Sequence, residues 1–238
     1  MECGFAGGRE PPRKDSDVNV SMWMTRDVIS IAAATAITSA AAWMARHRIR
    51  SLAVTARGSA GGRLLGLVSA TDILHAFPSN VNPFAVEAPE AGSTPVTTGE
   101  IMNRHPQTTA PDLPIEEAAS LMYHRKVSTL PVVLGEKMVG IITESDIFRA
   151  MVSLLSLPGR GARITFDMSK GEDVFGLVAQ VAQRHRAQVV SLISATQDNR
   201  PVCVVRIAGE TVDAMLDDLW ASGHLVLNVL RFPLQPEV

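Results

Sequence analysis

The chain has 238 residues, a formal charge of −2 and 46% hydrophobic residues, which suits two or three soluble domains with cores of ordinary size. The near-neutral charge and the low aromatic content exclude the broad basic surface that a nucleic-acid backbone requires, so we expect no nucleic-acid partner. Two cysteines occur, Cys3 and Cys203, and they form neither a disulfide framework nor zinc-ligand spacing, which indicates a reducing, cytoplasmic location.

The beginning of the chain carries no targeting pattern. Residues 1–17 mix Gly, Pro, Arg and Glu without an apolar central region, and they predict a disordered tail in place of a secretory signal. The alternative is that the physiological start lies further along, at Met22. The most apolar stretch, residues 31–45, is shorter than the about 20 residues of a membrane span, so we predict a packed helix there and no membrane partner.

An internal repeat organises the first two thirds of the chain. Met24 aligns with Met102 at an offset of 78 residues, and this offset holds without a gap into the strand that follows the first long helix of each copy. From Gly66 and Gly140 onward the offset is 74. The first copy therefore carries four extra residues in its Gly-rich stretch 57–63, where a hairpin turn tolerates insertion best.

Each copy has the same predicted order of elements, β-α-β-β-α. Apolar residues at i, i+3, i+4 and i+7 mark one helical face per copy, and two short strands and a second helix follow it. The predicted strands are residues 51–56 and 64–68 in the first copy and residues 129–134 and 138–142 in the second. One unit alone exposes a face of its small sheet, so we expect the two copies to pack together.

Both copies contain the same strand-to-helix junction, GLVSATD at 66–72 and GIITESD at 140–146. A hydroxyl and a carboxylate three residues apart are typical of a helix cap. A capping box prefers Glu or Gln, however, and the recurrence of Asp72 and Asp146 at matched positions favours a ligand role. An Asp that faces a cleft accepts two hydrogen bonds from a ribose diol, and a helix N-terminus suits phosphate. Both interpretations are open from the sequence.

The paired units resemble CBS domains arranged as a tandem pair, or Bateman module. The strand VSTLPV at 127–132 followed by G-h-h-[ST]-x-x-D matches the family pattern in the second copy, and Ala53 replaces the usual Pro in the first. The resemblance implies CBS repeats at residues 18–79 and 96–157, joined by a linker at 80–95.

This resemblance implies a non-catalytic regulatory protein. Its effector would be AMP, ADP, ATP or S-adenosylmethionine, bound in two related clefts without any further cofactor. Carried over residue by residue, the family pattern assigns ribose contacts to Asp72 and Asp146, with hydroxyl or backbone contacts from Ser69 and Thr143. Arg50 is the phosphate candidate, and its counterpart in the second copy is Ser128, so the two clefts should differ.

One basic residue lies three positions beyond each Asp, where the family often places a basic group. These residues are His75 and Arg149, and solvated helix surface is the alternative interpretation for both. The strand residues Thr129, Leu130 and Pro131 complete the candidate set. The remaining histidines form no metal-ligand spacing, so we predict no metal site.

We expect no catalysis, because the chain has no nucleophile elbow, P-loop, dinucleotide fingerprint or zinc pattern. The resemblance implies an unidentified regulated protein and a homodimer as partners. A ligand-independent module for homodimerisation or protein interaction is the alternative function.

The last third of the chain predicts a separate α+β domain. Residues 158–162 hold one Pro and two Gly and predict a linker. Residues 163–238 then predict strands at 163–168, 188–195, 202–207 and 225–232 and two helical stripes, beginning at Val174 and Val212. The order β-α-β-β-α-β is the ferredoxin-like plan.

This region resembles an ACT domain, and the whole chain resembles the regulators of the acetoin-utilisation type that join a CBS pair to an ACT domain. The turn at 167–172 lacks the Pro of the amino-acid-binding turn. Dimerisation or partner docking therefore stands beside amino-acid binding as a predicted role for this region.

Overall fold

The computed structural model describes residues 18–59, 61–76, 96–155 and 160–232. The predicted tail at 1–17, the predicted linker at 80–95 and the Pro158-Gly159 part of the second linker lie outside these ranges. The chain divides into two compact units, Met1–Ala150 and Met151–Val238. Among the described helices, none has the length and apolar character needed to cross a membrane.

The first unit contains both copies of the repeat. The first copy is formed by α1 (Val20–Trp23), β1 (Ser30–Ile31), α2 (Ile37–His47), β2 (Ser51–Thr55), β3 (Leu64–Ser69) and α3 (Ala70–Ala76). The second copy is formed by α4 (Thr98–Ile101), α5 (Ile115–Arg125), β4 (Thr129–Leu134), β5 (Lys137–Thr143) and α6 (Glu144–Leu155). The part of α6 from Met151 onward belongs to the second unit. The antiparallel hairpins β2-β3 and β4-β5 have matching register, with Leu52 opposite Val68 and Leu130 opposite Ile142.

The prediction of one helix over residues 31–45 is wrong at its start. Ile31 lies in β1, which pairs in parallel with β2, and the helix begins only at Ile37. Ala36 has extended backbone angles and forms a bridge to Thr97 of the other copy, which holds the chain out of the helical conformation just before α2. In the second copy the predicted first strand is a single parallel bridge between Thr109 and Val132.

The beginning of each copy pairs with the other copy. Thr25 and Ile141 exchange two backbone hydrogen bonds, both 2.9 Å from N to O. Their equivalents Asn103 and Leu67 do the same at 2.9 and 3.0 Å. We call the two segments 18–26 and 96–104 the crossing segments, since each contributes its apolar residues to the core of the opposite copy.

Gly66 and Gly140 lie where the crossing segments pass. A Cβ on Gly66 would lie 2.6 Å from the carbonyl oxygen of Asn103 and 2.7 Å from the Sδ of Met102. A Cβ on Gly140 would lie 2.5 Å from the Sδ of Met24. Neither glycine has a positive φ, so the close approach of another part of the chain, and not a special backbone conformation, accounts for both.

We expect Gly66→Ala to destabilise the protein. The added methyl group meets a backbone carbonyl that cannot rotate away, so the free energy of unfolding should fall by about 1–3 kcal/mol, as in other overpacked cores. Urea denaturation followed by circular dichroism measures the change. Gly135→Asn is the control, because Gly135 has open space around it and a φ of 61° that Asn tolerates. A Gly66→Ala variant as stable as the wild type would contradict this account of the glycine.

The second unit is one four-stranded antiparallel sheet with two helices. Its elements are β6 (Gly161–Asp167), α7 (Val174–His185), β7 (Gln188–Gln197), β8 (Arg200–Ala208), α8 (Val212–Ala221) and β9 (Val226–Phe232). The strand order is β7-β8-β6-β9. Both predicted helical stripes face one core, which also contains Phe166 and Cys203. Burial raises the pKa of the Cys203 thiol.

Two boundaries of this unit differ from the sequence pattern. The strand β6 begins at Gly161, within the predicted linker, because Gly161 has register partners on both of its neighbouring strands. The predicted connection over residues 196–201 is a two-residue turn. Asp198 and Asn199 have φ angles of 48° and 63°, a backbone conformation that Asp and Asn adopt readily in tight hairpins.

Helices α7 and α8 are joined by a charged cluster at Asp218. The Nη1 of Arg184 donates to Oδ2 of Asp218 at 2.7 Å, and the Nε2 of His185 lies 2.8 Å from the same oxygen. These hydrogen bonds, first from His185 and then from Arg184, lower the pKa of the Asp218 carboxyl.

A lowered pKa in the folded state makes the contribution of Asp218 to stability dependent on pH. The contribution is fully present above the unfolded-state pKa of about 3.9 and is lost as the pH falls through the lowered value. We therefore expect Asp218→Asn to have a lower Tm than the wild type near neutral pH and the two values to converge in acid. Asp217→Asn, at an exposed neighbour, is the control. A Tm difference that stays constant with pH would contradict the prediction.

Candidate functional site

The two junctions have the geometry of a helix cap. In each, Oδ2 of the Asp accepts hydrogen bonds from the backbone N–H and the hydroxyl of the residue three positions earlier. These distances are 2.7 and 2.7 Å from Ser69 to Asp72, and 2.9 and 2.8 Å from Thr143 to Asp146. The capping interpretation is confirmed at the first junction, where the N–H of Asp72 also donates to Oγ of Ser69 at 3.1 Å. At both junctions a single oxygen orients the carboxylate.

The second oxygen of Asp146 has a different partner. Oδ1 of Asp146 lies 2.9 Å from Nη2 of Arg149, and the same nitrogen donates to the backbone carbonyl of Trp23 at 2.7 Å. Asp146 is only 8% exposed. Because Trp23 belongs to a crossing segment, Arg149 connects the carboxylate at this junction to the segment contributed by the first copy.

A cavity of about 320 Å³ opens at the second junction. Its wall includes the junction itself from Thr143 to Asp146, the beginning of β2 near Arg50, the beginning of β4 at Ser128 and Thr129, and the chain that follows the first crossing segment. The cavity therefore depends on the packing of both copies.

Five of the predicted site residues line this cavity, namely Arg50, Ser128, Thr129, Thr143 and Asp146. Arg149 is not a lining residue, but it forms an ion pair with Asp146 of the wall. The structure thus places the predicted ribose and phosphate candidates, Asp146 and Arg50, around one space although they come from different copies.

The other predicted residues lie elsewhere. Ser69, Asp72 and His75 belong to the first junction and helix α3. The side chain of Leu130 is fully buried in the core of the second copy. Pro131 is buried in β4, where its carbonyl accepts a hydrogen bond from the N–H of Thr109. Neither Leu130 nor Pro131 lines the cavity.

Several cavity residues were not among those predicted. Asp27 lines the cavity because it lies just after the first crossing segment, which packs on the second copy. No local sequence pattern reveals this contact. Arg48 could have been found from the sequence, because it aligns with another basic residue, Lys126. In the structure both residues follow the end of their helix with a φ of 54°. Ser51 aligns with Thr129, and their hydroxyl oxygens lie 3.3 Å apart.

The chemistry of the cavity wall is mixed. Arg48 and Arg50 supply positive charge, the acidic residues Asp27, Glu144 and Asp146 supply carboxylates, and Ile49 and other aliphatic side chains supply apolar surface. Such a wall can hold a ligand that carries hydroxyl groups, an anionic group and a flat apolar part. In the described ranges, no group of three His, Cys, Asp or Glu residues could hold a metal ion.

Comparison with known proteins identifies the repeat. The family model of the CBS domain matches residues 16–79 and 99–153. The A-adding tRNA nucleotidyltransferase of Geobacter sulfurreducens is 25% identical over 207 residues, which are 87% of this chain and 20% of that enzyme. The chain thus spans about a fifth of the length of that relative.

Solved structures resemble part of the chain. AcuB of Vibrio cholerae, an acetoin utilization protein by name, is 30% identical, with 58% of this chain and 94% of that chain covered and a TM-score of 0.48. The CBS domain pair of protein MJ0100, solved with 5′-methylthioadenosine and S-adenosyl-L-methionine, is 27% identical, with 56% and 98% covered and a TM-score of 0.46.

Proposed function

Since the chain belongs to the CBS domain family over residues 16–79 and 99–153, we propose that it is a regulatory protein that binds an adenosine-containing effector, AMP, ADP, ATP or S-adenosylmethionine. The observation that carries the proposal is the cavity of about 320 Å³ that brings Arg50 of one copy to Asp146 of the other. Its size is within the range of about 300–1,000 Å³ that is usual for small-molecule sites.

The carboxylate of Asp146 would accept a hydrogen bond from a ribose hydroxyl. Its Oδ2 is engaged by Thr143, so Oδ1 is the atom that a ribose hydroxyl would approach, in competition with Arg149. A hydrogen bond to a charged group contributes about 1.5–3 kcal/mol. The fixed orientation of the carboxylate reduces the entropy lost when the ligand binds.

The remaining groups suit the rest of the ligand. The aliphatic side chains Val28, Ile29, Ile49 and Ile141 line the same cavity and would contact the adenine ring. The guanidinium groups of Arg48 and Arg50 would bind phosphates, or the carboxylate of S-adenosylmethionine.

Isothermal titration calorimetry of the full chain with AMP, ATP and S-adenosylmethionine tests this function. We expect Asp146→Ala to weaken the binding of the effector by about 10- to 100-fold, the effect of losing a charged hydrogen bond. Asp72→Ala reports separately on the first junction. Because each substitution also removes a helix-cap interaction worth about 1 kcal/mol, circular dichroism must first show that the variants are folded. Absence of binding, or binding unaltered by both substitutions, would contradict the proposal.

The role of Arg50 is tested by Arg50→Ser, which introduces the residue found at the equivalent position of the second copy, Ser128. We expect the affinity for ATP to fall at least about tenfold, because one charged contact to phosphate is lost. The affinity for 5′-methylthioadenosine, which has no phosphate, should stay the same. Arg46→Ser on the exposed side of α2 is the control. Equal losses for both ligands would show that Arg50 does not contact phosphate.

The second unit fits a supporting role. We propose that it is a ferredoxin-like, ACT-like domain, supported by its element order and its strand order β7-β8-β6-β9. The turn after β6 is closed by Asp167, whose Oδ1 accepts from the N–H of Ser169 at 2.7 Å, and by Gly171 with a φ of 71°. Homodimerisation or docking of the regulated protein is the role we propose for it.

A ligand-independent assembly module is the second candidate function. It is favoured by the exposed apolar side chains Leu227, Leu230 and Phe232 on the edge strand β9, since such surface often marks an interface. In the calorimetry above, this candidate predicts no heat of binding. It also predicts a homodimer whose Tm is unchanged by any nucleotide. On either function we propose a protein that acts without catalysis in the cytoplasm.

A further inference from the structure

Two arginines lie side by side on the sheet of the second unit. Arg163 of β6 and Arg206 of β8 are register partners, and Ser191 of β7 is the partner of Arg206 on its other side. Side chains alternate along a strand, and the neighbours Ile164 and Val205 face the helix-covered core. The two arginines and Ser191 therefore lie on the opposite face of the sheet.

This row of side chains holds polar atoms that lack partners. The Nε of Arg163, the Nε of Arg206 and the Oγ of Ser191 are buried without a hydrogen bond. The Nη1 of Arg206 donates to the carbonyl of Leu155, whereas Arg163 has no hydrogen bond or ion pair within the described ranges. A buried donor without a partner destabilises the fold, because it has lost its hydrogen bond to water without gaining another.

Neither arginine of this row has an acidic neighbour on the adjacent strands. Like charges directly opposite each other on adjacent strands destabilise a sheet. The register neighbour of Arg163 on β9 is Leu230, and the next row of the same face contains Ile193, Val204, Thr165 and Asn228. None of these neighbours is acidic. Asp167, the acidic residue of β6, lies four positions along the strand, about 13 Å away at the usual rise per residue.

We propose that Arg163, Arg206 and Ser191 form a binding site for a small organic anion. Its carboxylate or phosphate group would lie between the two guanidinium groups, which offer planar pairs of donors to such oxygens. An apolar part of the ligand would lie over Leu230 and Val204. This site is separate from the cavity at Asp146 and does not depend on the function proposed for that cavity.

Nuclear magnetic resonance of the ¹⁵N-labelled full chain tests the site through the arginine Nε–Hε signals. The probes are sodium phosphate and sodium propionate, each compared with sodium chloride at equal ionic strength. We expect the signals of Arg163 and Arg206 to shift saturably with at least one probe, and the comparison of the two probes distinguishes a phosphate from a carboxylate site. The exposed Arg200 of the same strand should respond as it does to chloride.

Substitutions locate the binding. Arg163→Gln should weaken the affinity read from the Arg206 signal at least about tenfold, the loss of one charged hydrogen bond, and Arg200→Gln should leave it unchanged. In chloride alone, Arg163→Gln should have a Tm equal to or above that of the wild type, because a like-charge pair has been removed. A lower Tm would indicate a structural role for Arg163 and contradict the proposal.

Three further outcomes would overturn the proposed anion site. Shifts that grow linearly in all three salts, or saturable binding that persists in a variant carrying both Arg163→Gln and Arg206→Gln, would overturn the site. Signals that change with protein concentration alone would show that a carboxylate of a second copy occupies it, which also overturns it. The Asp146→Ala variant should retain the response, so failure of the nucleotide cavity and failure of this site can be told apart.

Discussion

Reciprocal backbone pairing between the two copies is the interaction on which the first unit depends. Thr25 with Ile141 and Asn103 with Leu67 form the same pair of hydrogen bonds at equivalent positions. Each crossing segment thereby reaches the core of the other copy. Neither half can complete its core alone, which explains why the motif begins with a glycine: a larger residue would block the crossing segment.

The pairing also creates the cavity. It brings residues that follow the first crossing segment to the junction of the second copy, where Asp146 lies, and Arg149 links Asp146 to Trp23 of that segment. Capping and ligand binding are compatible at such a junction, because one carboxylate oxygen holds the helix end and the other is directed to a second partner. The cap positions the group on which the proposed binding depends.

The two faces of the sheet in the second unit differ in polarity. One face of the sheet is covered by α7 and α8 and is wholly apolar at its centre, so it accounts for most of the burial that stabilises the unit. The opposite face retains Arg163 and Arg206 as direct neighbours with buried, unpartnered donors. Such an arrangement reduces stability in isolation, and a bound anion would offset that cost.

Local patterns in the sequence determined the elements themselves. The repeat, the strand from Thr129 to Leu134, the helical stripes and the six elements of the last third could all be predicted, because each depends on residues close together in the chain. The Asp junctions were found in the same way. Only the tertiary structure showed where α2 begins and why Gly66 and Gly140 must be glycine. It also showed that Asp27 lines the cavity and that Arg163 and Arg206 are neighbours. Each of these depends on residues far apart in sequence that meet through strand pairing, and no local period records such a meeting.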